Sequence, residues 1–331
     1  EIERRGGRVV ISPAPVIRKS ALRPLGMVRL LTTAARSLVP SIRLIRAADM
    51  VYVSTLTVPS WIILGRLLRR PVVCHVHESE RAAPIWLRRI LAGPLLAADH
   101  LLVNSEFSRG VLLESYRSLG PKSEVVYNGV PGPVTAVPAR DSLEGPIRLV
   151  FVGRLSPRKG PQVAVELVRR LIAADVPARL DIVGSVFPGY EWFEDELRHT
   201  VAEAGLADAV TFSGFSDDVW RHLANADVAL VPSQGDEPFG NTAVEAVLAG
   251  RPVIVSSSSG LDEAVSGYTS AQRVAADDIE GWVAAVTSIV RAWPEYRRRV
   301  AADVDAAHAR HAPQIYQQAM ADRLEELVAG K

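Results

Sequence analysis

Two short segments hold most of the residues whose types and spacing suit chemistry. The first is Val150-Phe151-Val152-Gly153-Arg154-Leu155-Ser156-Pro157-Arg158-Lys159-Gly160. An apolar run passes into a glycine, and three cations then follow within six residues. Gly153 allows close backbone approach to a ligand at the end of a strand. Arg154 can fork onto two phosphate oxygens, and Lys159 supplies a compact point charge. Together they suit a diphosphate. The alternative is a basic surface loop. Against it stand the strand-end position and the use of a rare residue, since the chain has four lysines and 34 arginines.

The second segment is Glu237-Pro238-Phe239-Gly240-Asn241-Thr242-Ala243-Val244-Glu245-Ala246. Gly240 and Asn241 fall where a helix should start, and free N–H groups there attract an anion. Glu237 precedes the helix. Glu245 lies about one turn inside it, on an otherwise apolar stretch. A carboxylate so placed is costly to bury without partners, and sugar hydroxyls would serve. The alternative makes Glu237 a helix-dipole carboxylate and Glu245 a solvated face residue. A third segment, Cys74-His75-Val76-His77-Glu78, reads as a strand end, so His75 and His77 share a face. No further ligands recommend themselves for a metal. The choice lies between one functional histidine, His77, and core histidines satisfied by hydrogen bonds.

The elements that must carry these residues alternate. Strands are expected at Arg8–Ser12, Met50–Ser54, Val72–Val76, Leu101–Asn104 and Glu124–Tyr127, with helices at Pro59–Leu68, Pro84–Leu96 and Ser108–Leu119. A stretch rich in proline and glycine, Gly129–Pro146, reads as a linker. The alternation then restarts, with strands at Arg148–Val152, Arg179–Val183, Val210–Phe212, Val228–Val231 and Pro252–Val255. Helices are expected at Gly160–Ala174, Glu191–Ala204, Asp217–Ala224 and Asn241–Ala249. From Asp277 the chain reads as helical, broken near Pro294 and Pro313. The pattern predicts an α/β protein with two Rossmann-like domains, whose ligands belong at the carboxyl ends of parallel strands. The cleft between the two is the expected site. The domain limits are 1–138 and 147–312, followed by a terminal helix, 313–331, that crosses back to the first domain.

Composition agrees. The 331 residues are 48% apolar and 23% charged, which excludes a disordered or fibrous chain. One cysteine, Cys74, permits no internal disulfide. No apolar run reaches the roughly 20 residues that a transmembrane helix needs, and no signal peptide is visible. Aromatic residues are too sparse for a nucleic-acid stacking platform. The net charge of +1 conceals an asymmetry: residues 1–99 hold 16 cations and 6 carboxylates, the remainder 22 and 31. Within the basic part, Arg18–Arg46 has seven cations and no carboxylate, interleaved with leucine, valine and isoleucine. It reads as an amphipathic surface for anionic lipid, or else as a helix pair with a solvated arginine face.

The Gly153-Arg154 to Lys159-Gly160 pattern, followed by Glu237-Pro238-Phe239-Gly240 and Glu245-Ala246, resembles retaining glycosyltransferase family 4. Smaller pieces stand in order around it: His77, Asn104-Ser105, Asn128-Gly129-Val130, Ser213-Gly214, Ala226-Asp227, Gly250-Arg251-Pro252 and Glu263. The resemblance implies the glycosyltransferase B fold, two Rossmann-like domains facing across a cleft. It implies that Arg154 and Lys159 hold the diphosphate of a nucleotide-sugar and stabilise the departing charge. It gives the ribose to Glu245. The donor sugar and its phosphate fall to Glu237 with Phe239, Gly240, Asn241 and Thr242, and His77 faces the sugar from the first domain. Front-face attack with retention needs no separate enzymic nucleophile, and no general base is assigned. Two departures are visible. The family opens on a strand and a glycine-rich loop, whereas this chain begins at the approach to the expected second strand, about 40–60 residues short by the size of a βαβ opening. The run Ser256–Gly260 is serine-rich where paired glycines are usual, and Tyr268-Thr269-Ser270 lacks an expected glycine.

The expected activity is therefore transfer of a sugar from a nucleotide donor with retention, without a metal or other cofactor. The acceptor is expected to be a lipid-linked or cell-envelope glycan, the site cytoplasmic and peripheral on the inner face of a membrane, with no nucleic-acid partner. The alternatives are a nucleotide-sugar epimerase of the same architecture, or a non-catalytic two-domain sugar-binding protein.

Overall fold

A computed structural model describes residues 3–17, 24–79 and 81–329. The chain divides into two compact units, residues 1–126 with 320–331, and residues 127–319. Each is an α/β unit built on one parallel sheet.

Among the described residues the first unit has four strands in sequential order: β1 (Val51–Val53), β2 (Val72–Val76), β3 (His100–Val103) and β4 (Ser123–Val125). All three pairings are parallel. β2 is buried along its whole length, as a strand covered on both faces must be. Helix α1 (Pro24–Ala47) precedes β1, and α2 (Pro59–Leu67), α3 (Ile85–Ala92) and α4 (Glu106–Ser115) make the connections between strands. Pro59 occupies the first turn of α2, where its missing N–H costs nothing. Ser105 caps α4 by accepting from the Ser108 N–H at 2.9 Å. The core packs Ile45, Ile62, Val72, Cys74, Leu95, Leu101 and Leu119 together.

Two expectations change here. Arg8–Ser12 is not a strand: residues 7–17 carry no regular structure, and Ile11 is almost fully exposed. Among the described residues the run pairs with no strand, and β1 stands at the edge of the sheet. The basic segment is one helix from Pro24 to Ala47, with Pro40 inside it, rather than two. Its first residues, 18–23, lie outside the described part. The face that α1 buries is a narrow stripe of Ser37, Ser41 and Ile45, while Leu25, Val28, Leu31, Leu38 and Val39 are exposed. Arg29, Arg36, Arg43 and Arg46 are exposed among them.

The second unit has six parallel strands in the order β10-β9-β8-β5-β6-β7. They are β5 (Ile147–Val152), β6 (Ala178–Val183), β7 (Val210–Gly214), β8 (Val228–Val231), β9 (Val253–Ser256) and β10 (Ala271–Val274). The chain runs outward from β5 to β7, returns, and continues from β8 to β10. The order therefore reverses between β5 and β8, which is the switch point where ligands of such sheets bind. The helices are α5 (Pro161–Ala173), α6 (Glu191–Glu203), α7 (Val219–Asn225), α8 (Asn241–Leu248), α9 (Ser259–Ala264), α10 (Ile279–Arg291) and α11 (Trp293–His311), and α12 (Pro313–Ala329) starts in this unit and belongs to the first from Met320 on. The breaks near Pro294 and Pro313 fall as expected. β10 and α9 were not anticipated: Ala-Gln-Arg-Val is too polar to read as a strand, and it succeeds as an edge strand paired only with β9.

Two buried charges tie the linker region to this unit. Asp227 accepts from Arg140 Nε at 2.8 Å and from the Arg148 N–H at 2.8 Å. Arg251, 1% exposed, donates to the carbonyls of Leu223, Gly250, Ala224 and Val137. Removing a buried donor leaves its acceptors unpaired, each worth about 1–3 kcal/mol. Arg251→Met should accordingly lower the unfolding free energy by about 3 kcal/mol, read as a shift in urea midpoint at unchanged slope.

Candidate active site

The switch point brings the two sequence segments together. The loop after β5 starts at Gly153 and runs through Arg154, Arg158 and Lys159 to Gly160, which caps α5 in the left-handed conformation (φ 76°). The loop after β8 runs from Pro232 to Gly240, ahead of α8. They meet backbone to backbone: a Cβ at Gly160 would stand 1.9 Å from the Pro232 carbonyl oxygen, and the Gln234 N–H donates to the Arg158 carbonyl at 2.7 Å.

Glu237 lies at the centre of this junction and is 5% exposed. Its Oε1 accepts from Arg158 Nη1 at 2.7 Å and from Ser233 Oγ at 2.9 Å, and its Oε2 accepts from Lys159 Nζ at 2.9 Å. Its own N–H donates to Ser259 Oγ at 2.9 Å, and its carbonyl accepts from the Gly260 N–H at 3.0 Å. The serine-rich segment thus buttresses the carboxylate. Ser259 holds φ 54°, a conformation that a side chain adopts only under local strain.

Arg154 takes a different course. Its guanidinium lies 3.7 Å above the Phe187 ring, an arrangement that suits a cation poorly supplied with water. Burial, with Arg158 nearby, shifts its pKa downward. Arg154, Arg158, Lys159, Ser185, Phe187 and Phe215 share the wall of a cavity of about 550 Å³ at the carboxyl ends of β5, β6 and β7.

In α8, Gly240 leaves the first turn without a side-chain cap, so its amides keep their partial positive charge. Asn241 Oδ1 is held by Asn128 Nδ2 at 2.9 Å. Glu245 is largely buried, and desolvation raises its carboxyl pKa. Phe239 turns inward, 2% exposed, against Tyr127 and His311, so its contribution to the site is its backbone.

His77 belongs to the first unit. It follows β2, and its ring lies 3.8 Å from that of His75, as the shared face of a strand requires. His75 is wholly buried and bonds Tyr52 Oη through Nδ1 at 2.6 Å. It is the core histidine of the pair. Burial lowers the pKa of both, that of His75 to about 4. Among the described residues, no three His, Cys, Asp or Glu side chains gather as a metal site would. Glu78, to which sequence reasoning assigns no role, organises this strand end. It accepts from Thr55 Oγ1, from the His77 N–H at 3.1 Å and from the Leu56 N–H at 3.4 Å. Its position directly after His77 was the one available signal. Arg158 was counted as charge only; its partner became visible once the β8 loop was in place.

Residues 137–303 match the family model "Glycosyl transferases group 1", and residues 1–131 match "Glycosyltransferase Family 4". The chain belongs to the group 1 glycosyl transferases. It is similar to the D-inositol 3-phosphate glycosyltransferase of Mycolicibacterium vanbaalenii, 32% identical over 221 residues, 62% of this chain and 49% of that protein. It is also similar to the glycogen synthase of Mycobacterium tuberculosis, 30% identical over 241 residues, 69% of this chain and 56% of that protein. The chain thus spans about half the length of the curated relatives it matches. Among solved structures, Anabaena HepE has a TM-score of 0.77 at 19% identity, covering 98% of this chain and 88% of that one. Sucrose-phosphate synthase of Thermosynechococcus elongatus has 0.74 at 22%, covering 97% and 88%. The fold is α/β with two Rossmann-like units, of the glycosyltransferase B type.

Two buried histidines make stability depend on pH. The pKa of His75 is lowered to about 4 by burial and by His77, and that of His311 to about 4 by burial and by Arg310. Between pH 6.5 and 4 the unfolded chain binds these protons and the folded chain does not. Stability therefore falls as pH falls through that window, by up to roughly 3 kcal/mol per histidine. Urea unfolding at stepped pH should show this slope, and His311→Gln should make it shallower.

Proposed function

We propose that this chain is the catalytic part of a retaining glycosyltransferase that takes a sugar from a nucleotide-sugar donor. The observation that carries the proposal is the meeting, at the switch point of the second sheet, of Arg154, Arg158 and Lys159 with the Glu237 loop and the uncapped start of α8. A departing nucleoside diphosphate gathers negative charge. Two cations and a helix N-terminus, already oriented, stabilise that charge at low reorganisation cost. Arg154 and Lys159 are assigned to the diphosphate, with Gly153 leaving room for it. Glu245 is assigned to the ribose, because its largely buried carboxylate has no hydrogen-bond partner among the described residues and two hydroxyls would satisfy it. Glu237, with the backbone of Phe239, Gly240, Asn241 and Thr242, is assigned to the donor sugar, and His77 keeps the role toward that sugar that the resemblance gives it.

The neighbours support a nucleotide-sugar donor. HepE structures hold UDP, UDP with glucose, and UDP-glucose. Retention rests on the likeness to family 4 and on front-face attack, in which the leaving phosphate accepts the proton of the incoming hydroxyl. The protein's own cations supply the charge compensation, so we propose a reaction that needs no metal. The acceptor is proposed to be a lipid-linked or cell-envelope glycan, met at the inner face of a membrane. The exposed leucine and valine side chains of α1, set among its exposed arginines, support this docking. No helix among the described residues is long and apolar enough to cross a membrane.

Incubation with UDP-, GDP- and ADP-sugars should release nucleoside diphosphate from one donor class, at a rate that EDTA leaves unchanged. Lys159→Ala and Glu245→Ala should each lower kcat/KM for the donor by about 100-fold, near 3 kcal/mol of transition-state stabilisation. Release from no donor would defeat the transferase proposal, and unchanged variants would defeat the site assignment. Sedimentation with vesicles containing anionic phospholipid should bring the protein down at low salt and less at high salt. Replacing Arg29, Arg36 and Arg43 with glutamine should weaken that association; failure to sediment at low salt would count against the membrane proposal.

A further inference from the structure

We infer that Arg158 is the standing counter-ion of Glu237 and that it thereby frees Lys159 for the donor's diphosphate. The inference rests on the proposed placing of that diphosphate. In the structure both cations neutralise the same buried carboxylate, Arg158 at Oε1 and Lys159 at Oε2. If Lys159 is to turn to phosphate, Glu237 loses one of its two charges. A carboxylate whose side chain is 6% exposed cannot remain ionised there without compensation.

The two cations are not held alike. Arg158 is fastened to the β8 loop at several points. Its Nη1 donates to the Asp236 carbonyl at 2.9 Å as well as to Glu237, and its own carbonyl accepts from the Gln234 N–H at 2.7 Å. Its stem lies against Gly235, where an added Cβ would come within 3.0 Å of Arg158 Cγ. The Lys159 side chain makes one polar contact among the described residues, the 2.9 Å bond to Glu237. Arg158 is therefore a fixture of the Glu237 loop. Lys159, on a flexible four-carbon stem, is the exchangeable partner. Ser233, the third donor to the carboxylate, stays with Arg158 on Oε1. Arg158 is on this account a positioning residue, acting on the diphosphate through Glu237 and Lys159.

A double-mutant cycle tests this. The probe is whichever of UDP, GDP and ADP the wild-type chain binds best, titrated by calorimetry at fixed salt. Arg158→Gln should weaken binding by about tenfold, because Lys159 must then stay on Glu237. Glu237→Gln removes the buried charge, and in that background Arg158→Gln should change affinity by less than about twofold. Arg158→Lys, which restores charge without the fork to Asp236, should fall between. An equal loss in both backgrounds would make Arg158 a direct phosphate ligand and overturn the inference, as would no loss in either. Circular dichroism and thermal unfolding confirm that each variant is folded; the double variant keeps the local charge balanced if Arg158→Gln alone does not fold. Should Lys159→Ala abolish binding while the cycle proves additive, the donor assignment stands and the inference fails. Binding of no nucleoside diphosphate to the wild-type chain would remove both.

Discussion

A carboxylate shielded from water must be neutralised where it stands, and much of the second unit can be understood from that requirement at Glu237. Its two counter-ions come from the loop after β5, while the carboxylate comes from the loop after β8. The two loops can meet because β5 and β8 are neighbours in the sheet, paired in parallel from Leu149 to Phe151, so both open at the same edge. They are neighbours because the chain reverses its direction of travel across the sheet between them. The cavity at the carboxyl ends of β5, β6 and β7 adjoins this junction and shares Arg158 and Lys159 with it. The salt bridge, the switch point and the cavity beside them are one arrangement.

Support for the carboxylate extends outward. The Ser259 hydroxyl accepts from the Glu237 N–H, and Gly260 donates to its carbonyl, so α9 holds the backbone of the loop while Ser233 holds the side chain. Behind the loop, Phe239 packs with Tyr127 and His311. His311 remains neutral there because burial disfavours its charged form. At the edge of the unit, Asp227 and Arg251 bind the irregular stretch before β5 through buried hydrogen bonds. These charges serve the frame rather than the ligand, and their motifs, Ala226-Asp227 and Gly250-Arg251-Pro252, stand out in the sequence for structural reasons.

Much of this was legible in the sequence, for identifiable reasons. The strands of both units show as short β-branched runs because a parallel sheet is covered on both faces. Gly153, Arg154, Lys159, Glu237 and Glu245 stand out because polar groups next to such runs are costly unless used. The failures have equally plain causes. Arg8–Ser12 looks like a strand but lacks a partner, and strand pairing is not local. β10 is polar because an edge strand tolerates it. The basic segment could be read either as an amphipathic surface or as a helix pair, because its pattern does not say which residues pack; in the structure α1 buries only the stripe of Ser37, Ser41 and Ile45 among its described residues.

The amino-acid sequence by itself determined the class of fold, the two α/β units and the cationic and carboxylate residues available at the strand ends. These follow from local properties: burial periodicity, proline and glycine positions, and the chemistry of side chains a few residues apart. The tertiary structure alone decided which charges meet. Arg158 and Glu237 are 79 positions apart, and nothing in either segment identifies the other as its partner. The stack of His77 on buried His75, the Glu78 carboxylate that fixes the His77 backbone, and the strained Ser259 beneath Glu237 are likewise products of strand order and loop approach. Ion pairs and hydrogen bonds depend on distances of about 3 Å, and only the packed sheet sets those distances between residues remote in the chain.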